Sequence, residues 1–171
     1  MRLLGTFLLL GLLSVTALFA QEKTSDQEMV YGAHATAKYI KLPVLPQCAS
    51  FSVQRGDPNT GPADLLLKVN TGCKVPWHWH TATETLFFVS GRARVEMRGG
   101  PSHIASASDY VYLPAKHPHQ FTCLSQCSLF LATSAAFDIH YVDAQGEEIK
   151  PEEALKSSAS AHPAKKTAPK E

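Results

Sequence analysis

The residues with the clearest capacity for chemistry are two histidines and a glutamate that lie close together in the chain. His78 and His80 are two positions apart, so on an extended strand both imidazoles leave the same face. Glu84 follows after three residues that can form a short turn. Two neutral imidazoles and a carboxylate suit a divalent transition metal, with coordination positions left open for water or a substrate. The pattern therefore indicates a metal site.

A further ligand is offered by residues 114–121, which contain both His117 and His119. Three imidazoles and one carboxylate can hold Mn, Fe, Ni, Cu or Zn, and the order of affinities does not choose between them. At a redox-active metal, the open positions would accept dioxygen or a chelating substrate. A Lewis-acidic metal would instead polarise a carbonyl or activate water. In the redox-active case, Glu84 could leave the metal and act as the catalytic base.

These residues resemble the two sequence motifs of the cupin superfamily. The first motif is matched in full by Gly72, His78, His80, Glu84 and Gly91. Residues 108–119 resemble the second motif, with Pro114 and His119 in register. In this segment, Ser108 and Lys116 stand where the family usually has glycine.

The resemblance implies an all-β fold, a small antiparallel cupin-type β-barrel of the kind also called a double-stranded β-helix or jelly roll. It implies one divalent transition metal in the mouth of the barrel, bound by His78, His80, Glu84 and His119. The family register favours His119 over His117, which is expected at the rim. Many cupins dimerise, so a homodimer is expected by analogy.

Strand parity predicts an apolar pocket beside the metal. The residues expected to line it are Phe87, Met97, Leu113 and Phe121. Such a pocket favours a small, partly apolar ligand over a phosphosugar, which would require inward Arg or Lys side chains. The expected partner is therefore a small molecule.

Three functions are compatible with these features. The first is a metal-dependent oxygenase or oxidase, of dioxygenase type, that acts on a small organic molecule. The second is a non-catalytic module that binds or senses a small molecule or a metal. The third is an isomerase or lyase that uses the metal as a Lewis acid. Fold membership does not choose between them, because one barrel can support unrelated reactions.

Short apolar segments separated by turn residues predict the strands that position this site. The predicted strands are residues 49–54, 63–69, 85–90, 92–98, 110–113, 119–124, 127–133 and 139–142, with the metal strand after the turn at 70–72. Gly91 is predicted to turn the chain between two of them. Residues 119–124 and 127–133 are predicted to form a hairpin.

The chain of 171 residues is long enough for one domain. Residues 1–20 resemble a cleaved signal peptide, with an uncleaved N-terminal anchor as the alternative. The protein is therefore expected to be exported to the periplasm or outside the cell, without membrane attachment if the segment is cleaved. The predicted organisation continues with an N-terminal arm at 21–44, the barrel at 45–145 and a flexible tail at 146–171, in which residues 150–156 can form one or two helical turns. A formal net charge of +1 gives no reason to expect nucleic-acid binding.

Four cysteines follow the signal-like segment, an even number that suits an oxidising compartment. Cys123 and Cys127 flank the predicted hairpin turn, so a bridge between them is plausible and would leave Cys48 to pair with Cys73. Three pairings remain open from sequence. Alternatively, Cys123 could lie near the metal as a thiolate.

Overall fold

The structure is a computed structural model that describes residues 29–160, and it is built almost entirely of antiparallel strands. The all-β prediction is confirmed. After a 3-10 turn at His34–Thr36, the elements are β1 (Ala49–Gly56), β2 (Ala63–Val69), β3 (Lys74–Trp79), β4 (Glu84–Met97), β5 (Ser102–Ser106), β6 (Tyr110–Leu113), β7 (His119–Thr133), β8 (His140–Val142), β9 (Glu148–Ile149) and α1 (Pro151–Ser160).

Two long strands organise the barrel. β4 and β7 pair with each other from Glu84 opposite Thr133 to Met97 opposite His119. Along the other edge of β7, β3 pairs with its first part and β2 with its last part. Along the other edge of β4, β6 pairs with its first part and β5 with its last part. The two long strands therefore run through both walls of the barrel, and a cavity lies between the walls.

Both long strands bend where they cross from one wall to the other. Gly91 has a φ of 80°, and a Cβ there would lie 2.1 Å from the carbonyl oxygen of Gln126. The register between β4 and β7 shifts around this point, which is the behaviour of a β-bulge. The predicted break at Gly91 and the predicted hairpin between 119–124 and 127–133 are therefore wrong, because each segment is one continuous, bent strand.

Apolar side chains form the core between the walls and line the cavity there. Leu65 and Leu66 of β2 are both buried, so this strand is covered on its two faces. Tyr141 of β8 is fully buried, and its hydroxyl donates to the main-chain oxygen of Val44 at 2.8 Å. Ile40 adds an isolated bridge to Phe51 of β1. The predicted arm therefore contacts the barrel at Ile40 and Val44.

The first part of the predicted tail contains secondary structure, including a helix where residues 150–156 were predicted to form helical turns. Residues 148–149 form β9, which pairs with β8, and α1 follows directly. Pro151 opens the helix, Glu152 and Glu153 occupy its positive first turn, and Ala154 is buried. Among residues 151–156 of this helix, Ala154 is the buried residue, so this segment has no apolar stripe and its helical pattern in the sequence is weak. Strand β5 was also missed, because residues 102–106 expose most of their side chains.

The predicted signal peptide lies outside the described residues, as does the end of the predicted tail. Between residues 29 and 160, no helix has the length and apolar character needed to cross a membrane.

A disulfide joins Cys48, just before β1, to Cys73, just before β3. Cys123 and Cys127 are free and buried thiols, so the bridge that the sequence suggested for them is not present in the structure. Cys123 contacts main-chain oxygens and the Cys127 sulfur, which places it in the core and not among the histidines.

We expect the Cys48–Cys73 bridge to be a large contributor to stability. It closes a loop with a sequence separation of 25 residues. Loops of this length correspond to a loss of about 3 kcal/mol in the free energy of unfolding when the bridge is removed. Urea denaturation of Cys48→Ser, Cys73→Ser and the double variant measures this loss. Each single variant should lose about as much as the double variant, and additive losses would contradict a shared bridge.

Ser108 and Lys116, which stand where the cupin family usually has glycine, adopt left-handed conformations. Their φ angles are 74° and 58°. Asp109 N–H donates to Ser106 O at 2.9 Å, so Ser108 is the third residue of a tight turn that favours glycine there. Ser108→Gly should therefore raise the free energy of unfolding by about 0.5–1 kcal/mol. Ala107→Gly, at a negative φ in the same turn, is the control and should be destabilising. A lower free energy of unfolding in Ser108→Gly would contradict the proposed backbone strain at Ser108.

Candidate metal site

Four side chains from three strand ends meet inside the barrel. His78 lies on β3 and is paired in register with His119, the first residue of β7. His80 follows β3 directly, and Glu84 begins β4. All four side chains are buried, and one ligand atom from each histidine lies within 4.8 Å of the others. Oε2 of Glu84 lies 3.3 Å from Nε2 of His80 and 3.7 Å from Nε2 of His119. The structure thus brings the four predicted ligands together.

Main-chain carbonyls fix the orientation of each imidazole. Nδ1 of His78 contacts Pro76 O at 2.6 Å, Nδ1 of His119 contacts His117 O at 3.0 Å, and Nδ1 of His80 contacts Asp138 O. A carbonyl only accepts, so each Nδ1 carries the hydrogen. In a neutral imidazole, Nε2 then keeps its lone pair for a metal.

Burial sets the charge states in this cluster. It lowers the pKa of His78 well below the ordinary value, with a further contribution from His119 and His80. It lowers the pKa of His80 to about 4 and also lowers that of His119. The imidazoles are therefore neutral at pH 7, the form that binds metal. Burial also raises the pKa of Glu84 to about 7, because its charge has little solvation.

The cluster fits a divalent cation. Oε1 of Glu84 is buried without a hydrogen-bond partner, an arrangement that costs free energy unless a further group satisfies the oxygen. No Lys or Arg is among the residues that line the cavity in the described part of the chain. A metal would supply the positive charge that the carboxylate lacks and accept the lone pairs of the imidazoles.

The cluster lies in the wall of a cavity of about 640 Å³. Leu113 and Phe121 line this cavity, where the sequence placed them. Other apolar side chains in its wall are Leu65, Val75, Leu86, Val95, Leu129 and Leu131.

Two predicted pocket residues lie elsewhere. Phe87 is 47% exposed and packs edge-to-face against Tyr110 on the outside of the barrel. Glu84 is already part of β4, so the inward positions continue at 86 and 88, and Phe87 points outward. Met97, at the far end of β4, lines a separate groove and is only partly buried.

The loop between β7 and β8 contributes residues that the sequence did not identify. Asp138 accepts from His80 through its main-chain oxygen and from Thr81 N–H through Oδ1 at 2.8 Å. The Phe137 ring lies 5.2 Å from the His80 ring, and both loop residues line the cavity. Neither residue belongs to a motif, and Asp138 is 58 positions from His80, so only the tertiary structure reveals them.

The other histidines within residues 29–160 lie outside the cluster. Nε2 of His117 contacts the main-chain oxygen of Arg98 at 3.2 Å, which leaves His119 as the ligand candidate. The His140 ring stacks on Trp79, with centroids 3.9 Å apart, and it also contacts Asp138 and Glu148. His103 is exposed.

Comparisons with known proteins find similarity in sequence and in fold. Residues 65–133 match the family model described as Cupin domain. Dimethylsulfoniopropionate lyase DddQ from Ruegeria pomeroyi is 33% identical over 57 residues, which span 33% of this chain and only 28% of that enzyme.

Two solved structures share the fold. An RmlC-like cupin protein from Ralstonia eutropha has a TM-score of 0.56 at 18% identity, covering 81% of this chain and 90% of that chain. The polyketide cyclase RemF from Streptomyces resistomycificus has a TM-score of 0.57 at 15% identity, covering 68% of this chain and 87% of that chain. Likeness at these identities concerns the fold alone.

Proposed function

Because the chain belongs to the cupin superfamily, we propose that it is a metal-dependent enzyme that acts on a small organic molecule. His78, His80, His119 and Glu84 would hold the metal. The observation that carries the proposal is the buried set of three imidazoles, each fixed through Nδ1, around a carboxylate with an unsatisfied oxygen. A bound metal would polarise an oxygen of the substrate or, if redox-active, activate dioxygen.

The cavity supports a substrate that is small and partly apolar. Its wall is mostly aliphatic and aromatic and has no Lys or Arg among the described residues. A phosphorylated substrate would therefore lose hydration without gaining a cationic partner. An oxygen-bearing end, such as a carboxylate or carbonyl, would point toward the histidines, and the apolar part would contact Leu113 and Phe121.

For the reaction we favour a lyase. The lyase from Ruegeria pomeroyi is the relative that supports this choice, although it matches over a short segment. If the three histidines kept the metal, Glu84 would be released to take a proton through Oε1 from a carbon beside the carboxylate or carbonyl. Loss of a leaving group from the next carbon would complete the elimination. The surrounding apolar wall would exclude water from the carbanion-like centre.

An oxygenase or oxidase is the second candidate, supported by the dry surroundings of the ligands. All four ligand side chains are buried, which would protect reactive species from water. The two candidates differ in their need for oxygen. Metal-loaded protein is incubated with small carboxylates, including dimethylsulfoniopropionate, and with 1,2-dicarbonyl compounds, with and without oxygen, and products are followed by NMR. Turnover without oxygen supports the lyase, oxygen-dependent turnover supports the oxygenase, and binding without turnover overturns both.

We also propose that the protein works outside the cytoplasm. Residues 1–20 have the composition of a signal peptide, and the Cys48–Cys73 disulfide suits an oxidising compartment. Cell fractionation with an antibody to the barrel tests this proposal. Recovery of the protein in the cytoplasm with residues 1–20 intact would overturn it.

A further inference from the structure

We propose that Cys123 and Cys127 form a second disulfide, a covalent modification at the bend of β7. In the structure both residues are thiols, and their sulfurs lie 2.7 Å apart. A disulfide bond is about 2.05 Å long, so closing the bond requires only a small movement of each sulfur. This pair is separate from the metal site and independent of the proposed reaction.

The bend of β7 creates this proximity. On a straight strand, residues four positions apart are separated by about 13 Å. Here Cys123 pairs with Ala93 in one wall, and Cys127 pairs with Val69 in the other. The bend between the cysteines packs against Gly91. Because Gly91 has no Cβ, there is room for the carbonyl oxygen of Gln126. The fold therefore holds the two sulfurs together from both sides.

The surroundings favour a structural bridge over a reactive thiol. Cys123 and Cys127 are 0% and 1% exposed. Both sulfurs contact the Ser125 carbonyl oxygen, at 2.8 and 2.9 Å, and Cys127 also contacts Arg92 O at 3.1 Å. Carbonyl oxygens do not stabilise a thiolate, and burial with the neighbouring Cys123 raises the pKa of Cys127 to about 12. The first exchange with an oxidant would therefore occur while the chain folds, and closing of the bend would then bring the second sulfur into reach.

The oxidant is a small disulfide such as oxidised glutathione, or an oxidoreductase that carries a disulfide. One cysteine thiolate attacks the carrier disulfide, which forms a mixed disulfide and releases one carrier thiol. The second cysteine thiolate then displaces the other carrier sulfur and closes the Cys123–Cys127 bond. Two protons leave the cysteines and two electrons reduce the carrier to its thiols.

The first disulfide lies directly beside this pair, so the correct pairing must be tested. Cys123 N–H donates to Cys73 O at 2.9 Å. The reduced, unfolded full chain is refolded with a mixture of reduced and oxidised glutathione. Folding is stopped by alkylation in denaturant, and the protein is then digested with trypsin. Cleavage does not occur before Pro151, so the peptide 117–156 contains Cys123 and Cys127 and no other cysteine.

We expect peptide 117–156 to carry no alkyl groups and to be lighter by two hydrogen atoms than its reduced form. Peptides 42–55 and 69–74 should be joined through Cys48 and Cys73. In the control variant Cys123→Ser, Cys127 should carry one alkyl group, while the Cys48–Cys73 link remains. Two alkyl groups on peptide 117–156 of the wild-type protein would overturn the proposal. A cross-link from this peptide to Cys48 or Cys73 would do the same.

Discussion

Replacing both His78 and His80 with Ala is expected to remove the metal while leaving the barrel folded. The two residues supply two of the three imidazoles, and each is held for coordination by a main-chain carbonyl. Loss of a residue that only orients a ligand already costs about 10–100-fold in metal affinity. Loss of two ligands should therefore exceed that range by a wide margin. The barrel should persist, because the apolar core between the walls does not depend on these imidazoles.

Elemental mass spectrometry of protein purified without chelators measures this effect, with circular dichroism to check the fold. His34→Ala/His103→Ala is the matched control, because it removes two exposed histidines and should keep about one metal equivalent. Equal metal content in the two double variants would contradict the assigned site. Mn, Fe, Ni or Cu in the wild type would direct attention to oxygen-dependent chemistry. Zinc would favour the Lewis-acid lyase, since it does not change oxidation state.

Glu84→Gln is expected to reduce turnover strongly while the three histidines retain metal. The amide keeps the size of the carboxyl group but cannot accept a proton at the position of Oε1, which has no other partner in the structure. Removing a general base costs about 10²–10⁴-fold in rate. The rate constant kcat should therefore fall by this factor. The affinity for metal should fall less than in the double histidine variant.

The measurement is kcat of the metal-saturated variant on whichever substrate the screen identifies. Glu153→Gln changes an exposed glutamate of α1 and should leave kcat unaltered. Wild-type turnover by Glu84→Gln would show that Glu84 is not the base. If Glu84→Gln also fails to bind metal, a chemical-rescue experiment with added formate at saturating metal separates the loss of the base from the loss of the ligand.

Local patterns in the sequence were sufficient to predict the strands around the site. Residues 63–69 and 110–113 form strands with the predicted bounds, because each is a short, mostly apolar segment flanked by turn residues. The spacing of His78, His80 and Glu84 was sufficient to predict a shared site, since residues two apart on a strand leave one face. Ser108 and Lys116, where the resemblance expects glycine, adopt left-handed conformations in the structure.

Other features depended on contacts between distant segments. The sequence predicts a turn at Gly91, yet β4 continues through this residue. The bend of β7 lies opposite Gly91, and the absence of a Cβ lets the two strands approach closely there. The side of β4 that Phe87 occupies depends on where that strand begins, and a shift of one residue reverses every side chain. Asp138 orients His80 only because a loop far along the chain returns to the site.

The sequence by itself determined the ligand types, their shared strand face and the all-β class, because these depend on spacing within short segments. The tertiary structure decided where β4 and β7 bend and which cysteines are neighbours. It also decided that Phe137 and Asp138 lie beside His80. These features depend on pairing between residues such as Cys123 and Ala93, which no local pattern encodes. For this protein, the candidate metal ligands are therefore recognisable in short motifs, whereas the contacts that position them depend on pairing between distant segments.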